Sequence, residues 1–170
     1  AGERGRPPCT GGRVLVECGN EEDVMAVDRG PEWSHPHIIH LPKFSDARGS
    51  LTFIEGKNHI PFSIERVYYL YEVVKETVRG EHAHRDLEQV VIAISGAFDV
   101  VVDSGSRRWT FTLNASDEGL YVPPLHWRTL NNFSGGAVCL VLASLRYNPD
   151  EYLTTYEDFL AAVRAREAGR

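Results

Sequence analysis

Positive charge is in short supply. Lysine and arginine number 18 against 24 acidic residues, giving a formal net charge of −6 and a pI near 5.6. A protein that binds nucleic acid by bulk electrostatics needs surplus cations to neutralise phosphates, so the charge argues against that class. A small anionic ligand is not excluded, because a few local arginines hold a phosphate on an acidic protein. Cysteine is scarce too. Cys9, Cys18 and Cys139 are odd in number and lack CxxC spacing, which speaks for free thiols in a reducing cytoplasm rather than a disulfide framework. No apolar stretch reaches the roughly 18–20 residues of a membrane-spanning helix. The opening "AGERGRPPCTGGRVLVECG" has no unbroken apolar segment of the kind a signal peptide carries. Tandem repeats and low-complexity tracts are lacking. The expectation is a cytoplasmic protein that engages neither nucleic acid nor membrane.

What is present is ordinary in bulk and informative in order. At 170 residues, with 42% apolar and 25% charged side chains, the chain suffices for one domain with a substantial core. Residues 1–36, rich in glycine, proline and charge, read as an N-terminal extension in which only "RVLVEC", Arg13 to Cys18, has strand character. From His37 the pattern is strand after strand: "HIIHLPKFSD", the turn "DARGS", "LTFIEG", the long run "FSIERVYYLYEVV", then "EQVVIAISG", "AFDVVVDSG", "RRWTFTLN", "EGLYVPP", "HWRTLNNFS" and "GAVCLVLASL". Short strands separated by Gly, Asn, Asp-Ser-Gly and Pro-Pro predict an all-β sandwich or barrel. The period changes in "NPDEYLTTYEDFLAAVRAREAGR". There a helix from about 149 is expected, capped by Asn148 or Asp150, with Tyr152, Tyr156, Phe159, Leu160 and Val163 on its apolar face.

The chemistry concentrates in "VRGEHAHRDLEQVVIAISGAF". Residues two apart on a strand share a face, so His82 and His84 project together. Metal-binding cupins, small β-barrels, use a similar pattern: glycine, His-x-His, then a glutamate, and a later motif that delivers another histidine five residues after a proline. Gly80, His82, His84, Glu88 and Gly96 nearly complete the first motif and point to a jelly-roll barrel. The second motif departs from it, because counting from Pro123 in "GLYVPPLHWRTLNN" reaches Arg128. A guanidinium stays protonated and has no lone pair to give a metal. His126, two residues earlier, offers an imidazole on the same face if the strand is regular there. Without a metal, two inward imidazoles beside an arginine are acid–base groups next to an anion-stabilising one. The guanidinium lowers both imidazole pKa values and keeps the rings in the neutral form a base requires.

Five blocks then carry a family resemblance: "DARGSL", "IPFSIERVYYLYEV", "RGEHAHRDLEQVVIAISGAF", "GLYVPPLHWRTLNNFS" and "VLASLRYNPDEYLTTYEDF". In this order and spacing the chain from about 38 to 160 resembles the cupin-fold sugar nucleotide 3,4-ketoisomerases, which act on dTDP-4-keto-6-deoxyglucose. The resemblance implies a cupin-type jelly-roll β-barrel with a short C-terminal helix, and residues 37–170 are read as that catalytic domain. It also implies a homodimer with exchanged N-terminal strands, no metal and no cofactor. The reaction it implies moves the keto group from C4 to C3 through an enediolate.

The same resemblance distributes roles. His82 is expected to remove the C3 proton, His84 to relay or return a proton, and Tyr68 to bond a sugar oxygen or carry a proton toward C4. Arg66 is expected to hold the diphosphate or the enediolate, and Arg79 and Asn131 to reach the diphosphate. Arg48 and Arg128 stand where substrate orientation is decided; with arginine at both, either configuration at C4 of the product stays open. Glu88 is expected to orient a histidine by hydrogen bonding. Three other functions share parts of the pattern: a cupin-fold sugar nucleotide epimerase, a metal-dependent cupin oxygenase, and a non-catalytic sugar nucleotide binding barrel. The paired histidines argue against the last, because a binder needs no two neutral bases facing one cavity.

Overall fold

A computed structural model describes residues 31–169. The strand expected at Arg13 to Cys18, with Cys9 and Cys18, lies outside the described residues. The strands are β1 (His37–His40), β2 (Lys43–Asp46), β3 (Gly49–Thr52), β4 (Arg66–Leu70), β5 (Arg79–His84), β6 (Gln89–Ser95), β7 (Phe98–Asp103), β8 (Arg108–Leu113), β9 (Glu118–Val122), β10 (Trp127–Asn131), β11 (Val138–Ala143) and β12 (Tyr152–Leu153), followed by the helix α1 (Tyr156–Ala168). Two five-stranded antiparallel sheets, ordered β1-β9-β6-β11-β4 and β12-β5-β10-β7-β8, face each other. The β2–β3 hairpin forms a separate two-stranded ribbon. Strands adjacent in the sheets are mostly distant in the chain, which gives the jelly-roll its crossovers.

Side-chain alternation explains the layers. Val91 and Ala93 of β6, Leu120 and Val122 of β9, and Cys139 and Val141 of β11 meet Phe98, Val100 and Val102 of β7 and Leu130 of β10 between the sheets. The intervening residues Val90, Ile92, Tyr121 and Leu142 pack outward against Leu41, Ile60 and Phe62. Strand β6 is therefore covered on both faces, and that is why "QVVIAI" reads as a continuous apolar run rather than an alternation. A third cluster joins Ala83 of β5 and Leu153 of β12 to Leu125 and Phe159, so α1 lies over the outer face of the second sheet at the end of β5. Burying Phe159 completely contributes about 1.5–3 kcal/mol to that docking. At the β6–β7 turn Gly96 has φ +67, and a Cβ there would meet Ala137 Cα at 2.8 Å, so only glycine fits without a shift.

Two expectations are corrected. The run "FSIERVYYLYEVV" is strand only over Arg66–Leu70, because Glu72 (φ 55) and Glu76 (φ 71) turn the backbone into the left-handed region and end the pairing. The closing helix begins at Tyr156 rather than about 149. Thr155 caps it by accepting from the Asp158 amide, whereas Asn148 caps a single 3-10 turn, Pro149–Glu151, by accepting from the Asp150 amide. Between the two, Tyr152 and Leu153 pair with the edge of β5, so Tyr152 leaves the helix face on which it was expected. At the other end Trp33 packs edge-on against Tyr121 at 4.9 Å, so contact with the barrel begins ahead of His37.

Candidate active site

The site is built around an irregularity in β5. Opposite β10, His82 pairs with Arg128 while Gly80 pairs with Thr129, leaving Glu81 as an extra residue in a bulge. Gly80 (φ +86) and Glu81 (φ 55) both take left-handed conformations there. Glycine is required at 80, since a Cβ would lie 2.8 Å from the Arg128 carbonyl oxygen. The bulge brings the two strands close and sets His82 against Arg128.

The hydrogen bonds fix the protonation of both rings. Arg128 Nη2 donates to His82 Nε2 at 2.8 Å and to His84 Nε2 at 2.9 Å. A guanidinium only donates, so each Nε2 must present a lone pair and each imidazole must be neutral. His82 Nδ1 carries the proton and donates to the Gly80 carbonyl at 2.8 Å. His84 Nδ1 is buried without a hydrogen-bond partner among the described residues. The two rings stand perpendicular, centroids 5.0 Å apart. Burial, then the Arg128 charge, pushes His82 down to about 4. The same two causes, reinforced by His82 and Arg66, push His84 down to about 2.

A cavity of about 290 Å³ opens beside His82, with Tyr68, Val91 and Val141 of the first sheet facing His82, Arg128 and Leu130 of the second. Arg79, Gly80 and Glu81 line its exposed side. His84, only 3% exposed, sits deeper than His82. Tyr68 accepts a hydrogen bond from Gln89 Nε2 at 2.8 Å, which leaves its own proton to donate elsewhere. Arg66 stacks between the rings of Tyr68 and Tyr147, 5.3 and 5.6 Å from their centroids. Its buried Nε has no hydrogen-bond partner among the described residues.

The fold thus gathers His82, His84, Tyr68, Arg79 and Arg128, with Arg66 close behind Tyr68. It does not bring Arg48 to this cavity: Arg48 sits at the tip of the β2–β3 hairpin, paired with Asp46. Asn131 is also elsewhere, because alternation along β10 puts it on the face opposite Arg128 and Leu130. His126 precedes β10, follows Leu125 (φ 54), donates to the Pro124 carbonyl at 3.0 Å and lies by Trp109, so the regular strand that would align it with Arg128 does not extend that far. Glu88 accepts from the Tyr121 hydroxyl at 2.7 Å, and among the described residues no hydrogen bond joins it to His82 or His84, the contact its expected orienting role needs. Among the described residues no group of three or more His, Cys, Asp or Glu is placed to hold a metal ion, and the two imidazole lone pairs converge on a cation already.

Sequence reasoning missed Tyr152. Its ring lies 5.0 Å from His82 and 4.4 Å from His84, centroid to centroid. The signal was available: Thr155 followed three residues later by Asp158 is a helix-start pattern, and it places Tyr152 outside the helix.

Comparison with known proteins places the chain in a family. Residues 34–164 match the family described as FdtA: WxcM-like, C-terminal. The TDP-4-oxo-6-deoxy-alpha-D-glucose-3,4-oxoisomerase of Aneurinibacillus thermoaerophilus is 42% identical over 72% of this chain and 88% of its own. A histidine-to-asparagine variant of the 3,4-ketoisomerase QdtA from Thermoanaerobacterium thermosaccharolyticum, solved with TDP-4-keto-6-deoxyglucose, is 36% identical with a TM-score of 0.75, covering 78% of this chain and 96% of that one. The WlaRB TDP-quinovose 3,4-ketoisomerase of Campylobacter jejuni is 41% identical with a TM-score of 0.72, covering 74% and 97%. The chain belongs to the FdtA family of cupin-fold sugar nucleotide 3,4-ketoisomerases.

Proposed function

We propose that this protein moves the keto group of dTDP-4-keto-6-deoxyglucose, or a closely similar dTDP-sugar, from C4 to C3 in deoxysugar biosynthesis. One observation carries the reading: a guanidinium at the wall of a cavity donates to two neutral imidazoles, His82 lining that cavity and His84 behind it. Such a set suits a reaction that needs a base and a site for negative charge, and nothing else. His82 Nε2 takes the proton from C3, and the C–H electron pair forms the C3–C4 double bond while charge moves onto O4. Arg128, turning its Nη2 donor to that oxygen, steadies the charge and frees the His82 lone pair in the same motion. Tyr68 donates its free proton to a sugar oxygen. With Tyr68 protonating O4, its phenolate takes the proton from O3 while the protonated imidazole pair gives one to C4, so the ketone ends at C3, the hydroxyl at C4, and no protons or electrons are gained or lost overall. His84, behind His82, relays the proton, and Arg79 and Arg66 attract the diphosphate.

The catalytic barrel in this proposal is residues 37–170, with 1–36 an appended extension, and the protein works in the cytoplasm. No described helix is long and apolar enough to cross a membrane, and Cys139 is a free, buried thiol. Two copies pair with their N-terminal strands exchanged. Supporting this, the β2–β3 ribbon is hydrogen-bonded to neither large sheet, and it exposes Phe44 (63%) and Leu51 (59%). Strand β4 ends its sheet and exposes Val67 and Tyr69. Exchange would carry Arg48 from one copy toward the other's cavity, the place where orientation of the sugar is decided.

The test is NMR of the product formed from dTDP-4-keto-6-deoxyglucose. A carbonyl at C3 is expected. A ketone still at C4 with inverted C3 or C5 would instead make the protein an epimerase, and unchanged sugar with retained dTDP binding would make it a binding barrel.

A further inference from the structure

The segment from Asn148 to Leu153 is anchored to the histidine strand far more firmly than a surface connection requires. The Arg85 amide donates to the Glu151 carbonyl, the Asp86 amide to the Glu151 carboxylate, and Arg85 Nε to the Asp150 carbonyl. Tyr152 then pairs with His84 and Leu153 with Ala83. Leu153 and Ala83 are buried together beneath Phe159 of α1. Because neighbours on a strand face opposite ways, fixing Leu153 under the helix commits Tyr152 to the histidine side. Its ring meets His84 at 4.4 Å and 67°, and His82 at 5.0 Å and 39°. Tyr147 extends this aromatic wall at 5.9 Å and carries Arg66 on its face.

We infer that Tyr152 is a positioning residue: its ring, braced through β12 by α1, holds the two imidazoles at right angles and keeps water from them. The inference rests on the isomerase reading for its purpose and on this geometry for its content. The groups that face the two rings are Arg128 from β10, Arg66 and Tyr68 from β4, Tyr152 from β12, and the rings themselves, with Arg79 and Glu81 on the cavity's exposed side. No carboxylate hydrogen-bonds either ring among the described residues, and the Gly80 carbonyl, which accepts from His82, is the one group there that favours the charged ring. The imidazoles then stay neutral through two agents, burial and guanidinium charge. Tyr152 supplies part of the first, and it is not among the residues that line the cavity.

The experiment follows the imidazole nitrogens of His82 and His84 by NMR across pH 3–8 in wild type, Tyr152→Phe, Tyr152→Ala and Tyr152→Gln, with kcat/KM measured on the same samples. Tyr152→Phe should titrate as wild type does. Tyr152→Ala and Tyr152→Gln should each raise the pKa of at least one ring by about one unit or more as water enters, and move the acid limb of kcat/KM upward with it. Gln fills much of the same space, so it reads the effect if Ala unfolds. Unchanged titration in both, or a Phe variant that behaves like the Ala one, overturns the inference. The titration needs no turnover, so a wild type that fails to isomerise the sugar would count against the proposed function alone.

Discussion

Arg128 and His82 stand directly opposite each other across β10 and β5, and the guanidinium Nη2 donates to the imidazole Nε2 over 2.8 Å. The pair is in contact only because Gly80 and Glu81 form a bulge that turns His82 toward β10. In a metal cupin a cation would lie between such rings; here a side chain of the protein supplies the positive charge. The consequences reach the pH dependence, the stability and the reaction itself.

Replacing His82 by Asn removes the proposed base and keeps a polar side chain of similar bulk. Turnover should be abolished while dTDP affinity, by calorimetry, stays within a few-fold. Normal turnover would move the role to His84 or Tyr68.

Arg128→Gln should lower kcat on the order of a hundredfold or more, the usual loss when a preorganised donor to a developing oxyanion is removed. It should also raise both imidazole pKa values, because Arg128 is a depressing charge on each. A pH–rate profile of the variant should show its acid limb at higher pH than wild type. A fall in rate with no movement of that limb would separate Arg128 from the histidines.

Folded-state stability should weaken as pH falls below the ordinary histidine value of 6.5. The unfolded chain takes up protons on His82 and His84 there, while the folded chain resists until about 4 for His82 and about 2 for His84. The unfolded state thus binds more protons in that window, and stability rises with pH across it. Thermal melts between pH 6.5 and 4 should show the fall, and His84→Asn should flatten it. Above pH 4 the carboxylates with lowered pKa, such as Asp103 and Asp117, contribute little to the slope.

Gly80→Ala should destabilise the fold and the site together. The left-handed backbone alone costs a side chain about 1–2 kcal/mol, roughly 2–8 °C of melting temperature in a chain of this size. The clash with the Arg128 carbonyl adds to it. A variant with wild-type melting and turnover would mean that the bulge is not needed.

The exposed apolar surface bears on oligomeric state. Sedimentation of the wild type should give a dimer, and the Phe44→Glu, Leu51→Glu double variant a monomer. A monomeric wild type would remove the proposed strand exchange and, with it, Arg48 from the active site.

The sequence reported the barrel well because its signals are local. Turn residues between β6, β7, β8 and β9 mark strand ends, and alternation separates inner from outer faces. Arg128 as a substitute for a ligand could be read by counting from Pro123. What was hidden is long-range. Tyr152 joins the histidines only because two residues pair with the edge of β5 before the helix begins. Asn131 and Arg128 lie three apart on one short strand, and alternation sends them to opposite faces. Glu88, placed near the histidines by the motif, bonds instead to Tyr121.

The most direct test is turnover of dTDP-4-keto-6-deoxyglucose in deuterated buffer by enzyme first dialysed against a chelator, followed by NMR. The predicted result is a 3-keto product carrying deuterium at C4, formed at an undiminished rate. A rate that collapses after chelation and returns with an added divalent metal would contradict the account.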